Sequence, residues 1–369
     1  MAKSSSLLPL SPQRGEGQGK KKKLLGTKEG SPGRENPLHW QKQYPAGMAE
    51  PEAAPGAEID RLIRRLESLY KGEETVDLLV ALGQAAVVPL SEFLLKGRPS
   101  KVFQPRLLAV QALARLKAKK VLIAYLFRER EISDPEASFG EEAVASAAAL
   151  CLAAWPGEDT YRLLVQLSER RLLNGLIEAL AQFRTRETIP YFVRALEDDF
   201  YRPAAEEAFL KLGVMAREVL VQAAVTPFPD SALETPTSLK RRRSAVRILS
   251  SIGISAAPWQ ILRGLIQESD AELVVEAAKL GVRVASKEDR ALMARRLIKL
   301  LSSTSWHLLA DIEETLVALK DEAASEIGKE IARCLEPREG ATVIVMRLRA
   351  LLRVKRRWDR VSVNECGRK

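Results

Sequence analysis

Two runs of basic side chains are the residues of this sequence best suited to binding chemistry. Guanidinium and ammonium groups bind phosphate and carboxylate oxygens, and arginine does so through a planar fork of donors. The first run enters a predicted helix, and the second lies near the C-terminus, where apolar and basic residues alternate. The candidate binding residues are Lys240, Arg241, Arg242, Arg243, Arg247, Arg353, Lys355, Arg356 and Arg357. The alternative interpretation of the first run is a soluble helix start with at least two of these side chains in solvent.

Residues that perform catalysis or hold metals are sparse. The sequence contains two histidines, His39 and His307, and three cysteines, Cys151, Cys334 and Cys366. Their spacing fits neither a zinc site nor a disulfide framework. The sequence also lacks a Gly-x-x-x-x-Gly-Lys-Ser/Thr phosphate loop and a Gly-x-Ser-x-Gly nucleophile turn. We therefore expect no cofactor, no metal and no enzymatic activity.

The helices that would position the basic side chains repeat along the chain. Residues 189–196 place apolar side chains at the i, i+3, i+4 and i+7 spacing of an amphipathic helix. An acidic turn at residues 197–199 follows, and residues 202–212 then repeat the spacing. Gly213 stands where a helix end favours a residue with positive φ. Such a hairpin cannot bury its apolar face alone, which predicts neighbours of the same kind.

Pairs of residues that close a helical pattern mark these neighbours. Most are separated by about 30 to 40 residues. The pairs are Leu82-Gly83, Leu116-Lys117, Phe183-Arg184, Leu212-Gly213, Ile252-Gly253, Val284-Ala285 and Leu319-Lys320. Several are followed by a proline near the start of the next helix, as at Pro89, Pro190 and Pro258, where the first turn does not need the backbone N–H. Repetition at a fixed period predicts a solenoid.

The hairpin from Glu187 to Gly213 resembles the HEAT repeats, particularly the short bacterial HEAT-like type. The matching residues are Ile189-Pro190, Ala195-Leu196, Asp198-Asp199, Arg202, Ala204-Ala205, Ala208 and Leu212-Gly213. The stretch from Leu79 to Leu90 follows the same pattern. The resemblance implies an all-α fold, a right-handed α-solenoid of stacked helical hairpins, for residues 58–336.

Composition divides the chain into three segments. Residues 1–57 contain nine Lys/Arg and five Asp/Glu, a net charge of +4, and are predicted to be disordered because they lack apolar periodicity. Translation starting at Met48 instead of Met1 is one explanation of the composition change. Residues 58–336 form the repeats. Residues 337–369 contain ten Lys/Arg and three Asp/Glu, a net charge of +7, and are predicted to form a basic capping helix and tail.

Irregular stretches interrupt the repeats at two places. Residues 128–139 and 226–238 contain Pro, Asp and Ser, which predicts surface loops. Insertions between solenoid helices project from one edge and carry contacts that differ between relatives. The C-terminal stretch from Gly340 has two interpretations, a last helix whose apolar side caps the stack or a basic amphipathic helix that meets a membrane surface or an acidic partner.

Charge distribution guides the functional expectation. The net charge of +10 belongs to the two ends, and the repeats between them are nearly neutral at −1. We therefore expect a cytoplasmic, non-catalytic scaffold or adaptor that binds a protein partner along the concave face of the solenoid. No apolar run approaches the roughly 18 residues of a membrane-spanning helix.

Nucleic-acid binding is the alternative function. The basic ends would bind nucleic acid, or an anionic membrane, by charge. The resemblance also includes helical-repeat DNA glycosylases, which would place Trp155, Trp259 or Trp306 in a groove and use Asp270 or Asp311 as the acid. Near-neutral repeats argue against this, because binding a phosphate backbone requires many Lys and Arg side chains on one face.

Overall fold

The computed structural model describes residues 55–68, 71–227, 234–301, 305–335 and 347–358. All regular structure in these ranges is helical, so the all-α prediction is confirmed. The α-helices are α1 (Pro55–Arg65), α2 (Gly72–Ala81), α3 (Val87–Lys96), α4 (Gln104–Arg115), α5 (Lys119–Leu126), α6 (Pro135–Leu152), α7 (Glu158–Arg170), α8 (Asn174–Phe183), α9 (Ile189–Ala195), α10 (Arg202–Leu212), α11 (Arg217–Val225), α12 (Pro236–Ile252), α13 (Ala256–Leu262), α14 (Ala271–Gly281), α15 (Lys287–Leu300), α16 (Trp306–Ala318) and α17 (Lys320–Leu335). Residues 347–358 form a further helix, the C-terminal helix.

The helices lie in two rows. The even-numbered helices contact one another in sequence from α2 to α16, which forms the even row. The odd-numbered helices form the odd row, in which α1, α3 and α5 are in contact, as are α9, α11 and α13 farther along and α15 and α17 at its end. From α2 to α10, neighbouring helices of the even row are in more extensive contact than α1, α3 and α5 or α9 and α11 of the odd row, whereas α15 and α17 are in more extensive contact than α14 and α16. Most helices also contact their hairpin partner in the other row, so the hairpin is the repeating unit, whereas α13 and α14 are joined mainly through residues 263–267.

Small residues explain the close packing of the even row. Ala145, Ala148 and Ala149 on α6 are fully buried. Gly175 on α8 approaches α6 so closely that its backbone N–H donates a hydrogen bond of 2.6 Å to Ser146 Oγ. A Cβ atom added at Gly175 would lie 1.9 Å from the Ser146 carbonyl oxygen. The helices therefore meet backbone to backbone, which only a glycine permits at this position.

Five residues that close hairpins have a positive φ angle. The φ angles are 64° at Gly83, 59° at Lys117, 51° at Arg184, 57° at Gly213 and 75° at Gly253. The prediction made for Gly213 is confirmed. The closing pairs at Ala285 and Lys320 contain no residue with positive φ.

Arginines tie the ends of odd-row helices to the starts of even-row helices. Arg106 Nη2 donates to the Leu94 carbonyl (2.9 Å), Arg202 Nε to the Leu196 carbonyl (2.9 Å) and Arg242 Nε to the Ala224 carbonyl (2.8 Å). Carbonyl groups at a helix C-terminus have no intrahelical partner and carry the negative end of the helix dipole. A guanidinium group supplies both the missing hydrogen-bond donors and a compensating positive charge.

Three helices begin at positions that differ from the segment boundaries expected from the sequence. α1 begins at Pro55, three residues inside the segment 1–57 expected to be disordered, because proline suits the first helical position. Residues 1–54, with the rest of that prediction, lie outside the described residues. The predicted loop 128–139 ends at Asp134, whose carboxylate accepts the Glu136 N–H (3.1 Å) and starts α6. The predicted loop 226–238 ends at Thr235, which caps α12 in the same way.

The C-terminal helix covers the end of the even row. Ala350, Leu351, Val354 and Trp358 are buried, and Trp358 Nε1 donates a hydrogen bond of 3.1 Å to the Val317 carbonyl on α16. Its apolar face is therefore occupied by the protein itself, as capping requires, and is not free to enter a membrane.

Candidate binding site

The loop between α5 and α6, which contains residues 128–134 of the first predicted insertion, forms one wall of a cavity. Arg130 anchors this loop, because its guanidinium group donates hydrogen bonds to the carbonyl oxygens of Leu95 in the last turn of α3 and of Gly97, which follows that helix (2.9 Å). Burial, followed by repulsion from Arg128, lowers the pKa of Arg130. The anchored loop gives the cavity a fixed edge.

A buried ion pair supports the floor of this cavity. Arg106 on α4 and Glu141 on α6 are 5% and 8% exposed, and both guanidinium Nη atoms of Arg106 donate to the Glu141 carboxylate. The Tyr125 hydroxyl donates to the same carboxylate at 2.9 Å. Burial and the negative charge of Glu141 raise the pKa of Tyr125. The carboxylate of Glu141 is thus held by three side chains, counting Arg130 at 3.8 Å, and its role here is structural.

Above this floor lies a cavity of about 560 Å³, which we call the basic pocket. Its charged lining consists of Arg128, Glu129, Arg130, Glu141, Glu142, Arg170 and Arg171. Arg170 is held weakly, because Nη1 lies 4.0 Å from the Glu129 carboxylate and the guanidinium carbon lies 5.8 Å from the centre of the Phe127 ring. Arg171 is half-buried, and its guanidinium group forms no hydrogen bond or ion pair with any described residue.

A second cavity of about 280 Å³, the apolar groove, adjoins the basic pocket between α6, α8 and the start of α10. Phe139 and Phe200 on its rim are each 54% exposed and stack edge to face with ring centres 5.9 Å apart. Leu150 is 37% exposed on the same rim. Glu142 lines both cavities, so they share a wall. Burial, together with the nearby Glu142 carboxylate, raises the pKa of the Tyr201 phenol beside the groove.

The basic run on α12 is neutralised by carboxylates of neighbouring helices and loops. The ion pairs join Lys240 to Asp199, Arg241 to Glu197, Arg242 to Glu234 and Glu268, Arg243 to Asp270 and Glu272, and Arg247 to Glu206 and Glu272. Arg241 and Arg242 are buried, whereas Lys240 and Arg247 keep part of their side chains in solvent. Because more carboxylates than cations meet here, the interpretation of this run as a phosphate- or carboxylate-binding patch is not supported. Its role is to join successive helices.

The four candidate cations of the C-terminal helix divide into two groups. Arg353 pairs with Glu313 on α16, where Nε donates to Oε1 at 3.0 Å, and this contact raises the pKa of Arg353. Lys355, Arg356 and Arg357 are exposed and have no ion-pair partner among the described residues. They remain available to an anionic partner.

The tryptophans and aspartates that a DNA glycosylase would use do not form one site among the described residues. Trp259 is fully buried and its Nε1 donates to Asp289 at 2.9 Å. Asp270 caps the N-terminus of α14 and pairs with Arg243, and Asp311 pairs with Lys279 at 2.9 Å. Both acids are thus engaged in structural contacts on separate helices.

The described residues contain neither a membrane-spanning helix nor a cluster of metal-binding side chains. Within these ranges every helix is too short or too polar to span a lipid bilayer. The same ranges contain no group of three or more His, Cys, Asp or Glu side chains placed to hold a metal ion.

Sequence reasoning missed the residues of the basic pocket and the apolar groove. The loop at residues 128–139 was recognised as an insertion, and its composition was the available signal. Arg171 and Phe200 belong to connections between helices, and nothing in their local sequence indicates that α6 brings them to adjoining cavities. Compared with protein families and with curated proteins, the chain gives no significant match.

Proposed function

We propose that the chain is a non-catalytic scaffold, a right-handed α-solenoid of HEAT-like hairpins in the cytoplasm that binds a protein partner. The partner binds the face formed by the even-numbered helices, which we assign to the concave side. The more extensive contacts among the even-row helices from α2 to α10 than among their odd-row neighbours support this assignment, since the inner side of a curved array has the shorter helix-to-helix spacing.

The observation that carries the proposal is the exposed Phe139–Phe200 pair beside the basic pocket. Exposed apolar groups that cluster on a protein surface mark interaction sites. Aromatic and arginine side chains are enriched at protein–protein interfaces. The neutralised run on α12 also favours a protein partner, because cations already paired with carboxylates bind a polyanion such as nucleic acid only weakly.

Site-specific photo-crosslinking tests this function. A photoreactive amino acid is introduced at Phe200 on the rim of the apolar groove or at Val214 in the connection between α10 and α11, and the full-length chain is irradiated in its native host. Val214 is the matched control, because it is 67% exposed and apolar. We expect a discrete protein adduct at position 200 that is missing at position 214. Equal adducts at both positions, or none at position 200, would contradict the proposal.

Nucleic-acid binding through the basic ends is the second candidate, favoured by Lys355, Arg356 and Arg357, which are exposed and have no ion-pair partner in the part of the chain that the structure describes. Its test compares salt-dependent binding of duplex DNA by the full-length chain and by the triple variant with glutamine at these positions. If all three contact phosphates, the slope of log K against log salt falls by about 3. Lys240→Gln, which removes a paired cation, is the control and leaves the slope unchanged. A slope near zero for the original chain rejects this function.

A further inference from the structure

We propose that the basic pocket and the apolar groove together bind one segment of the partner protein, in which a carboxylate lies next to a bulky apolar side chain. This inference rests on the scaffold function and specifies the kind of segment that the scaffold binds. Glu142 lines both cavities. A single short segment can therefore occupy the two cavities at once.

The carboxylate is assigned from two arginines whose guanidinium groups have weak partners or none among the described residues. Arg171 forms no hydrogen bond or ion pair with any described residue, and Arg170 is held only weakly by Glu129 at 4.0 Å. A guanidinium group binds a carboxylate through two parallel hydrogen bonds, which adds both energy and orientation. The partner's carboxylate would complete the pairing of Arg171.

The charge of the lining selects a carboxylate over more highly charged anions. Glu129, Glu141 and Glu142 line the same cavity as the arginines. A phosphate group carries nearly two negative charges at neutral pH, and a nucleic acid carries one per nucleotide along its length. Either would meet these glutamates at close range. A single carboxylate balances Arg171 with the least repulsion.

The apolar side chain is assigned from the groove. Phe139, Leu150 and Phe200 present hydrophobic surface on its rim, and the open space of about 280 Å³ suits one large side chain such as Phe, Leu or Trp. Burial of such a side chain in an aromatic-lined site is typical of interface hot spots. The chain's own ends, residues 1–57 and 337–369, carry net charges of +4 and +7. Both ends are net basic, which disfavours them beside the four arginines of the basic pocket, so we assign the occupant to a partner protein.

Selection of peptides from a random library displayed on phage, with the full-length chain as bait, tests the assignment. We expect the selected peptides to share an acidic residue close to Phe, Leu or Trp. One selected peptide, synthesised with a fluorescent label, is then titrated by anisotropy against variants of the full chain. Arg171→Gln and Phe200→Ala each weaken its binding by about tenfold or more.

Two matched substitutions serve as controls. Arg162→Gln removes an exposed arginine from α7 that lies outside both cavities, and Val214→Ala shortens an exposed apolar side chain in the connection between α10 and α11. Neither weakens binding. Circular dichroism of all four variants verifies that they fold.

The possible outcomes separate this inference from the scaffold function. Selection of basic peptides, of peptides without a consensus or of none overturns the inference, as does binding that survives Arg171→Gln. If the selected peptides instead lose affinity in Val214→Ala, the inference fails and the protein still binds peptides through another face. If photo-crosslinking at position 200 also yields no protein adduct, the scaffold function fails as well.

Discussion

Arg242 shows how burial converts a side chain suited to anion binding into a structural one. It is 2% exposed, donates to the Ala224 carbonyl, and pairs with Glu234 and Glu268, both at 2.5 Å. A buried charge is retained only when its partners compensate for lost hydration. Its three partners come from α11, the loop before α12 and the connection before α14, so one guanidinium group joins three segments.

Removal of this guanidinium group should destabilise the repeats. We expect Arg242→Ala to lower the free energy of unfolding by about 3 kcal/mol, the low end for breaking a buried pair because both carboxylates keep some contact with water. The measurement is chemical denaturation followed by circular dichroism. Lys240→Gln is the control, and it should cost less than about 1 kcal/mol because its pair with Asp199 is on the surface. Similar losses for the two variants would contradict this interpretation.

At the scale of elements, the crossing of α6 and α8 positions the apolar groove. Gly175 allows the two backbones to touch, and Phe139 on α6 and Phe200 before α10 then lie at the two sides of the groove. A larger residue at the crossing would push α8 outward. Groove shape and helix packing are therefore linked through one residue.

Substitution of this glycine tests the link. We expect Gly175→Ala to destabilise the protein by about 1–3 kcal/mol, because the added methyl group overlaps the Ser146 carbonyl and the gain in helix propensity is smaller than this strain. Thermal unfolding provides the measurement. Gly328→Ala in α17 is the control, since no atom lies within 4 Å of the added methyl group, and it should stabilise by about 0.5–1 kcal/mol. A stabilising Gly175→Ala would show that the crossing is looser than described.

The hairpin closures are a second feature at this scale. Lys117 adopts a positive φ of 59° without being glycine, which costs an L-residue about 1–2 kcal/mol. We expect Lys117→Gly to stabilise the protein by about 0.5–1 kcal/mol after the larger unfolded-state entropy of glycine is counted. Denaturant midpoints of the two proteins give the comparison. Ala285→Gly, at a closure without positive φ, should destabilise instead, and a stabilised Ala285→Gly variant would refute the conformational explanation.

At the scale of the whole molecule, the main contacts of α1 to α17 are with helices close to them in the chain, in the same row and in the same or the adjacent hairpin. Stability in such an array is approximately a sum of unit and interface contributions. The C-terminal helix therefore protects the last hairpins first. Distant repeats, including those that form the basic pocket, depend on it much less.

Local hydrogen exchange tests this one-dimensional coupling. We expect Trp358→Ala to speed amide exchange in α15 to α17, because the substitution removes a buried indole and its hydrogen bond to the Val317 carbonyl. Exchange in α4 to α8 should change little. Trp306→Ala is the control, since this side chain is 82% exposed. Equal acceleration along the whole chain would indicate a single cooperative unit instead of an array.

The sequence by itself determined the helical character of the repeats and the closure at Gly213, since periodicity, capping and backbone conformation depend on residues a few positions apart. Residues 202–212 form the predicted helix, and Gly213 takes the predicted positive φ. Only the tertiary structure decided which charged and aromatic side chains are free. Ion pairs such as Lys240–Asp199 and Arg106–Glu141 join residues 41 and 35 positions apart, because packing in a row aligns positions about one repeat apart. The same alignment neutralised the basic run on α12. It also placed Arg171 in a cavity that adjoins the groove of the exposed Phe139–Phe200 pair.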